Sequence, residues 1–240
     1  MHTRIAITGA GSGIGAATAR LLIHRGYRVA CLDRNLDAAA AVAGLDNPAI
    51  AVDVADEAAV PRAFAVVREV LGGLDALATC AGIFDTTPFE EASADTFRRV
   101  HEVNVIGTFP CMREAAAMME RGARICTVAS VAGLRGGGLA GTVAYATSKG
   151  AVLAMTKNAA RMLGLRGIAV NTVAPGMIDT PFAAQPLADQ GFRARIEGMT
   201  TMNRLGTAEE IAAAIAWLPS PEAAYVHGAT LVADGGMVMH

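Results

Sequence analysis

The sequence has few aromatic residues, little net charge and no long hydrophobic run. Aromatic side chains make up 5% of its 240 residues, and the formal net charge of −2 comes from scattered charges of both signs. Without a basic stripe to neutralise phosphates, we expect no nucleic-acid partner. No apolar run approaches the length of a membrane span, and the first eight residues lack a charged, cleavable leader. We therefore expect a cytoplasmic protein with no membrane partner.

Cysteine is also scarce, and its four copies lie singly in apolar segments, never at the spacing of metal ligands. They are Cys31, Cys80, Cys111 and Cys126. We expect small, buried, reduced thiols, with neither a disulfide framework nor a metal site. With 53% hydrophobic residues, the chain can bury a core without such crosslinks. Since no linker or composition shift divides the sequence, residues 1–240 are predicted to form one domain.

Short β-branched runs alternate with longer alanine-rich helical patterns along the chain. The short runs are apolar nearly throughout, which is typical of strands whose sheet is covered by helices on both faces. We therefore predict an α/β fold, a Rossmann-type doubly wound sheet of seven parallel strands. The predicted strands are 4–8, 28–32, 49–53, 76–79, 124–128, 169–173 and 230–232, and the predicted helices are 14–24, 36–43, 57–71, 94–119, 146–163, 188–198 and 208–218.

A glycine-rich turn follows the first predicted strand and leads directly into a helix. Glycines let the backbone turn tightly and approach a pyrophosphate, whose charge then meets free N–H groups at the helix N-terminus. The turn is predicted to bind a dinucleotide; the alternative is a strand–helix connection without a ligand. The residues predicted to make these contacts are Gly9, Gly11, Ser12, Gly13, Ile14 and Gly15.

The end of the second predicted strand bears on cofactor choice. Asp33 is placed to accept hydrogen bonds from the adenosine ribose hydroxyls. At about 5 Å it would repel a 2′-phosphate by roughly a few kcal/mol per charge pair, which favours NAD over NADP. The neighbouring Arg34 could instead clamp a 2′-phosphate, but the carboxylate carries more weight because it ends the strand. Asp53 and Val54 are predicted to meet the adenine edge, with a helix cap as the alternative role of Asp53.

A tyrosine and a lysine one helical turn apart indicate acid/base chemistry. Tyr145 and Lys149 project from the same helix face, so the ammonium can lie beside the phenol. Lowering a phenol pKa from about 10 to near 7 takes roughly 4 kcal/mol, which this cation and an oxidised nicotinamide could together provide. Ser130, at the end of a predicted strand, can steady the substrate oxygen.

Together these motifs resemble the short-chain dehydrogenase/reductase family along nearly the whole chain. The matching residues are Thr8, Gly9, Gly13, Gly15, Ser130, Tyr145, Lys149, Pro175 and Gly176. The resemblance implies that Tyr145 is the acid/base, that Lys149 holds the nicotinamide ribose and lowers the phenol pKa, and that Ser130 orients the substrate oxygen. It also implies that Asn104 holds a water linking the lysine to solvent; from the residues alone, Asn104 would be a mid-helix polar residue of no consequence.

The same resemblance implies further cofactor contacts after the fourth and sixth strands. They are Cys80, Ala81, Gly82, Pro175, Gly176, Ile178 and Thr180. Thr180 would meet the nicotinamide carboxamide with help from the Ile178 amide, although a proline–glycine turn closing a strand is the alternative. The family has Asn-Ala-Gly where this chain has Cys80-Ala81-Gly82. A side-chain hydrogen bond that braces the sheet should therefore be absent or replaced.

Two further features concern the long central helix and the substrate wall. Pro110 falls inside the predicted helix 94–119 and predicts a bend between Asn104 and Cys111. Segment 181–205 is expected to fold over the substrate as a lid, and loop 134–142 forms another part of the wall. The lid carries Phe182, Phe192, Met199 and Met202. It also carries Arg193, Arg195 and Arg204, the candidates for a carboxylate or phosphate subsite. Apolar residues at these spacings favour a hydrophobic or cyclic secondary alcohol, although they also pack helices onto cores.

The family usually forms tetramers through its two long central helices and its C-terminal strand. Small apolar faces at 115–119 and 151–155 suit such a helix bundle, so we expect a homotetramer. The apolar residues 237–239 are expected to reach a neighbouring subunit.

Three functions remain open. The first is an NAD(H)-dependent oxidoreductase that interconverts a secondary alcohol and a ketone. The second is an NADPH-dependent ketone or 3-oxoacyl reductase, which would ordinarily have a basic residue in place of Ser12 and lack Asp33. The third is a non-catalytic dinucleotide-sensing protein, and the joint presence of Ser130, Tyr145 and Lys149 speaks against it.

Overall fold

The computed structural model describes residues 3–137 and 142–239. They contain a seven-stranded, all-parallel sheet with helices on both faces, which confirms the predicted fold class. The strand order is β3-β2-β1-β4-β5-β6-β7, and it reverses between β1 and β4, where such sheets bind ligands. The strands are β1 (Arg4–Thr8), β2 (Arg28–Asp33), β3 (Ala49–Ala51), β4 (Ala76–Thr79), β5 (Arg124–Val128), β6 (Ala169–Pro175) and β7 (Thr230–Ala233).

Alternate side chains of each strand enter two apolar cores, one on each face of the sheet. In β1, Ile5 and Ile7 belong to one core and Ala6 belongs to the other. The first core packs against α1 (Gly13–His24), α2 (Leu36–Ala43) and α10 (Ala208–Trp217). The second packs against α3 (Ala59–Leu71), α5 (Thr108–Met118) and α7 (Val143–Gly164). Burial on both faces explains why the strands lack a polar alternation.

The helix predicted over 94–119 is interrupted. It consists of α4 (Ala94–His101), a π-helical turn (Glu102–Ile106) and α5. The Gly107 amide donates to the Glu102 carbonyl, five residues back, at 2.8 Å. The hydrogen bonding is thus irregular ahead of Pro110, which lies in the first turn of α5, and the bend between Asn104 and Cys111 stays a prediction. A π turn of this kind accommodates an extra residue and often marks a functional position.

The remaining helices are short. They are α6 (Val131–Arg135), α8 (Ala184–Leu187) and α9 (Gln190–Glu197), with single 3₁₀ turns at Phe89–Glu91, Pro181–Ala183 and Pro221–Ala223. The predicted helix 188–198 is thus shorter, because the Asp189 carboxylate caps its start by accepting the Gly191 and Phe192 amides. Within the described ranges, no helix is both long enough and apolar enough to cross a membrane.

The faces expected to join subunits are largely used inside the chain itself. Ala115, Ala116 and Met119 are at most 5% exposed, and Val152 and Leu153 are also buried. The expectation that segments 115–119 and 151–155 join subunits stays a prediction, because these five residues are buried inside the chain whereas Ala117 and Ala154 are exposed. Exposed apolar side chains on the same helical layer lie elsewhere, at Ile106, Phe109, Met162 and Leu165.

Candidate functional site

A cavity of about 300 Å³ opens at the carboxyl ends of the strands. Nearly all residues predicted for the site line it, although they come from distant parts of the sequence. These are Gly9, Ser12, Gly13, Ile14, Gly15, Asp33, Arg34, Asp53, Val54, Cys80, Ala81, Gly82, Ser130, Tyr145, Lys149, Pro175, Gly176, Ile178 and Thr180. Gly11 and Asn104 do not line the cavity, and both support residues that do.

The glycine-rich turn packs backbone against backbone. A Cβ on Gly15 would lie 2.0 Å from the Gly9 carbonyl oxygen, and a Cβ on Gly9 would lie 2.7 Å from the Ala81 nitrogen. Gly9 also has a φ of 68°, a conformation that residues with a side chain rarely adopt. The turn is therefore held against the end of β4 at a distance that only glycine allows.

The start of α1 offers unpaired donors to the cavity. Its N-cap residue, Ser12, makes no side-chain capping hydrogen bond within the described residues, and the first turn carries no acidic side chain. A helix N-terminus without a cap presents free N–H groups and a positive partial charge. Because Ser12, Gly13 and Ile14 line the cavity, these groups fit an anionic pyrophosphate.

Two backbone amides fix the carboxylate that ends β2. The Gly11 amide donates to Asp33 Oδ2 and the Asn35 amide donates to Asp33 Oδ1, each at 2.9 Å. Gly11 thus holds Asp33 rather than the ligand. A Cβ on Gly11 would lie 2.9 Å from Asp33 Cγ, so glycine is also needed for this approach. The neighbouring Arg34 is exposed and lines the same cavity.

The segment after β3 contradicts one of the two roles predicted for Asp53. Asp53 lines the cavity, but its Oδ1 accepts the Ala55 amide and caps no helix. The carboxylate that accepts amides at the start of α3 belongs to Asp56, from Ala58 and Ala59. The helix-cap alternative for Asp53 is therefore wrong.

Tyr145 and Lys149 lie in the first two turns of α7, which begins at Val143, earlier than predicted. Lys149 Nζ donates to the Val128 carbonyl at 2.9 Å and lies 5.8 Å from the centre of the Tyr145 ring. Ser130 is the N-cap of α6, and its Oγ accepts the Ala132 amide at 3.1 Å. The end of β5 and the start of α7 thus bring the three side chains into one corner of the cavity.

The net effect of the protein's own groups is to raise the phenol pKa. Burial raises the pKa of Tyr145 to about 12, while the neighbouring Ser130 hydroxyl opposes this rise. Burial also lowers the pKa of Lys149 from 10.5 to about 8. Desolvation is the largest effect on both groups, so the lowering expected from Lys149 together with an oxidised nicotinamide stays a prediction. At neutral pH the phenol is protonated and is a proton donor.

The lowered pKa of Lys149 predicts that this residue destabilises the fold. Between pH 8 and 10.5 the unfolded chain binds a proton that the folded protein has lost, so stability rises with pH in that window. Lys149→Met should therefore be about 1–2 kcal/mol more stable than the wild type near pH 7. The difference should shrink as the pH approaches 10.5. Denaturant unfolding at pH 7 and pH 10 measures it.

Lys157→Met is the matched control, because Lys157 is exposed on the same helix. It should show no comparable difference between the two pH values. A Lys149→Met variant that is less stable than the wild type at pH 7 would contradict the prediction.

Asn104 lies in the π turn and ties three segments together. Its Oδ1 accepts the Ile83 amide at 2.8 Å, and its Nδ2 donates to the Ile83 carbonyl and to Ser148 Oγ, each at 3.0 Å. Ser148 Oγ donates in turn to the Tyr145 carbonyl at 2.7 Å. Asn104 is 1% exposed. It is therefore not an inconsequential mid-helix residue, and it joins the segment after β4 to α7.

The residue before Cys80 has a buried polar atom whose hydrogen bond is missing within the described part of the chain, which destabilises this part of the fold. Thr79 Oγ1 is buried and has no hydrogen-bond partner among the described residues. Thr8 Oγ1 accepts the Ala81 amide at 3.3 Å, and Asn104 holds Ile83, so the end of β4 is braced by other groups. Cys80 is half-buried, whereas the other three cysteines are buried as predicted. Burial raises the Cys80 pKa to about 12, so the thiol stays protonated.

The opposite wall of the cavity is apolar. Phe84, Tyr145 and Phe182 form an aromatic cluster with centroid distances of 4.9, 5.5 and 6.2 Å. Of the four apolar lid residues, only Phe182 lines the cavity; Phe192 packs into a small core with Leu187 and Ile196. Sequence reasoning missed Phe84, Arg135 and Met237, which also line it. Phe84 lies two residues after Gly82, the last contact predicted after β4, and this position was the one available signal.

The three arginines of the predicted lid form ion pairs or ring contacts away from the cavity. Arg193 pairs with Asp179 and Glu197, Arg204 pairs with Glu210, and Arg195 lies over the Phe192 ring. None of these three arginines lines the cavity. Met237 lines the cavity, and the expectation that residues 237–239 reach a neighbouring subunit stays a prediction. Loop 134–142 is partly outside the described residues, which omit 138–141.

Known proteins with this arrangement match almost the whole chain. A family model described as Enoyl-(Acyl carrier protein) reductase matches residues 9–238. A short-chain dehydrogenase/reductase from Brucella melitensis, titled a glucose/ribitol dehydrogenase, superposes with a TM-score of 0.92 at 33% identity, covering 99% of this chain and 97% of that chain. The chain belongs to the short-chain dehydrogenase/reductase family. It is thus a member of a family of oxidoreductases that use a nicotinamide dinucleotide.

Relatives in this family differ in what they act on. A sorbitol dehydrogenase from Cereibacter sphaeroides is 36% identical, over 96% of this chain and 95% of that protein. A 3-oxoacyl-[acyl-carrier-protein] reductase from Escherichia coli is 35% identical, over 97% of this chain and 96% of that protein. A short-chain dehydrogenase from Burkholderia cenocepacia, solved in complex with NADP, has a TM-score of 0.90 at 34% identity, over 98% of this chain and 97% of that chain. Membership of the family alone therefore does not select the cofactor or the substrate.

Proposed function

We propose that the protein is an NAD(H)-dependent dehydrogenase that interconverts a secondary alcohol and a ketone. The observation that carries this proposal is one cavity lined by Asp33 at the end of β2, by Ser130 after the end of β5, and by Tyr145 and Lys149 near the start of α7. A carboxylate for a ribose and a proton donor for a substrate oxygen thus share one crevice.

The residues have separable tasks in this proposal. The dinucleotide, once bound, supplies the hydride chemistry. The glycine turn and the start of α1 hold its pyrophosphate, and Thr180, Ile178 and the Pro175-Gly176 turn lie at its nicotinamide end. Tyr145 donates its proton to the carbonyl oxygen during ketone reduction and accepts it back during alcohol oxidation. Ser130 donates a hydrogen bond to the same oxygen.

The cofactor preference rests on the charge of Asp33. Asp33→Asn keeps the size of the side chain and removes the repulsion toward a 2′-phosphate. We expect NADH to bind about tenfold more weakly and NADPH about tenfold more tightly, since a charge pair at this range is worth roughly a few kcal/mol. Titration of cofactor fluorescence measures both dissociation constants. Asp53→Asn, in the same cavity, should leave their ratio unchanged, and tighter binding of NADPH by the wild type would refute the NAD assignment.

One observation favours the second candidate, an NADPH-dependent ketone or 3-oxoacyl reductase. Arg34 is exposed and lines the cavity next to Asp33, where its guanidinium could reach a 2′-phosphate. If this candidate is correct, Arg34→Gln should weaken NADPH binding and leave NADH binding nearly unchanged. The same titration therefore separates the two candidates.

The substrate is proposed to be apolar around its carbinol carbon. Phe84 and Phe182 line the cavity beside Tyr145, and Met237 and the cation Arg135 line the same cavity. A panel of secondary alcohols with NAD tests this, and each neutral cyclic alcohol should be paired with its carboxylated analogue to reveal any effect of Arg135. Turnover of charged, open-chain polyols in preference to cyclic alcohols would contradict an apolar pocket.

Further properties are proposed with this function. Residues 1–240 form one domain, and segment 181–205 covers the substrate. The protein is a cytoplasmic homotetramer. The exposed Ile106, Phe109 and Met162 are better candidates for its subunit contacts than buried side chains such as Ala115 and Val152. Light scattering in dilute solution would show a mass near four times 24.6 kDa, and a stable monomer would contradict the tetramer.

A further inference from the structure

Residues 82–85, here called the β4 strap, contact every proposed catalytic residue except Ser130. A Cβ on Gly82 would lie 3.2 Å from Asn104 Oδ1 and 3.5 Å from Lys149 Nζ. Asn104 binds both the amide and the carbonyl of Ile83. The Phe84 ring meets the Tyr145 ring edge-on, with centroids 4.9 Å apart at 80°. The strap is thus a continuous wall against the reacting corner of the cavity.

The last residue of the strap is a buried carboxylate outside the proposed chemistry. The Asp85 side chain is 3% exposed, and it does not line the cavity. Its Oδ1 accepts Thr87 Oγ1 at 2.8 Å, and Arg99 Nη2 lies 4.0 Å away. Its Oδ2 accepts the Thr142 hydroxyl. A buried carboxylate is retained only where such donors replace its water.

Thr142 stands at the N-cap of α7, three residues before Tyr145. Threonine at this position usually caps its own helix by accepting an N–H of the first turn. Within the described residues, the Thr142 hydroxyl makes no capping bond. It donates to the Asp85 carboxylate instead, and it also lies 3.1 Å from the backbone carbonyl of Asp85. The start of the helix that carries Tyr145 is therefore tied to the strap, at the expense of its own cap.

We propose that Asp85 is a positioning residue, which fixes the start of α7 through Thr142 and presses Phe84 against Tyr145. This inference rests on the proposed role of Tyr145 as proton donor. Since Asp85 and Thr142 hold α7 at one end and Asn104 holds it through Ser148, the phenol is fixed between two anchors. A misplacement of about 1 Å in such an arrangement can reduce turnover by about 100-fold.

The test compares hydroxyl-deleting and hydroxyl-keeping variants at one position. Thr142→Val should lower kcat by about 10- to 100-fold on an alcohol from the panel, and leave the NADH dissociation constant within about twofold. Thr142→Ser should restore kcat. Thr87→Val is the matched control, since it removes the other hydroxyl on Asp85 and leaves the link to α7, and it should keep kcat near the wild-type value.

A second readout needs no substrate. The chain has three tyrosines, so the pH titration of tyrosinate absorbance, minus that of Tyr145→Phe, reports Tyr145. In Thr142→Val this titration should move from the wild-type position toward the ordinary value near 10, because a loosened ring regains solvent. Thr142→Ser should retain the wild-type curve.

Several outcomes would overturn the inference. Unchanged kcat and an unchanged Tyr145 titration in Thr142→Val would do so, as would an equal loss of kcat in Thr87→Val. Loss of NADH affinity in step with kcat would indicate a general collapse of the cavity. If Tyr145→Phe itself keeps full turnover, the proposed function fails; if Tyr145→Phe is inactive and Thr142→Val is fully active, only the positioning role fails.

Discussion

The Tyr145→Phe variant should lose about 10²- to 10⁴-fold in turnover of a secondary alcohol and keep its affinity for the cofactor. The substitution removes only the hydroxyl, and the ring can still pack against Phe84 and Phe182. No other phenol lines the cavity in the described part of the chain to replace the proton donor. Steady-state rates and fluorescence titration with NADH measure the two quantities.

The matched control for this variant is Tyr225→Phe, since Tyr225 is fully exposed. It should have wild-type turnover. Intact turnover in Tyr145→Phe would mean that another group transfers the proton, and the assignment of the reacting corner would be lost. Loss of NADH binding together with turnover would instead show that the hydroxyl supports the cofactor. Tight NADH binding by the wild type without turnover of any panel alcohol would favour the hypothesis of a non-catalytic dinucleotide-sensing protein.

Gly9→Ala should nearly abolish cofactor binding. The new Cβ would lie 2.7 and 2.8 Å from backbone atoms of Ala81, which cannot rotate away, so the turn must move off the end of β4. We expect at least a 100-fold loss of NADH affinity, about 2.7 kcal/mol or more. Fluorescence titration measures it, and thermal unfolding reports the accompanying loss of stability.

Gly44→Ala separates this clash from backbone strain. Gly44 has the same φ of 68°, but no atom lies within 4 Å of its Cβ position. Both variants force a positive φ on a residue with a side chain, at a cost of roughly 1–3 kcal/mol in stability. Only Gly9→Ala adds the steric overlap. Equal NADH affinities for the two variants would show that the close packing of the turn against β4 is unimportant for binding.

Much of the fold follows from local patterns. β1, β4 and β5 have their predicted bounds because an apolar run between turn signals has few ways to be buried other than as a central parallel strand. The predictions failed where a break depends on neighbours. The π turn at Glu102–Ile106 forms where Asn104 reaches Ile83 and Ser148, and neither contact is visible in the local sequence.

The sequence by itself determined the sheet, the glycine turn, and the Tyr145–Lys149 spacing, because backbone sterics and helix periodicity act over a few residues. Only the tertiary structure decided the electrostatics and the walls of the cavity. Burial raises the Tyr145 pKa because rings from distant segments exclude water from the phenol. Likewise, Asp85 and Thr142 are 57 residues apart in the chain and meet only when the segment after β4 reaches the start of α7. Desolvation and hydrogen bonding depend on which groups become neighbours, and those neighbours are set by the packing of the whole chain.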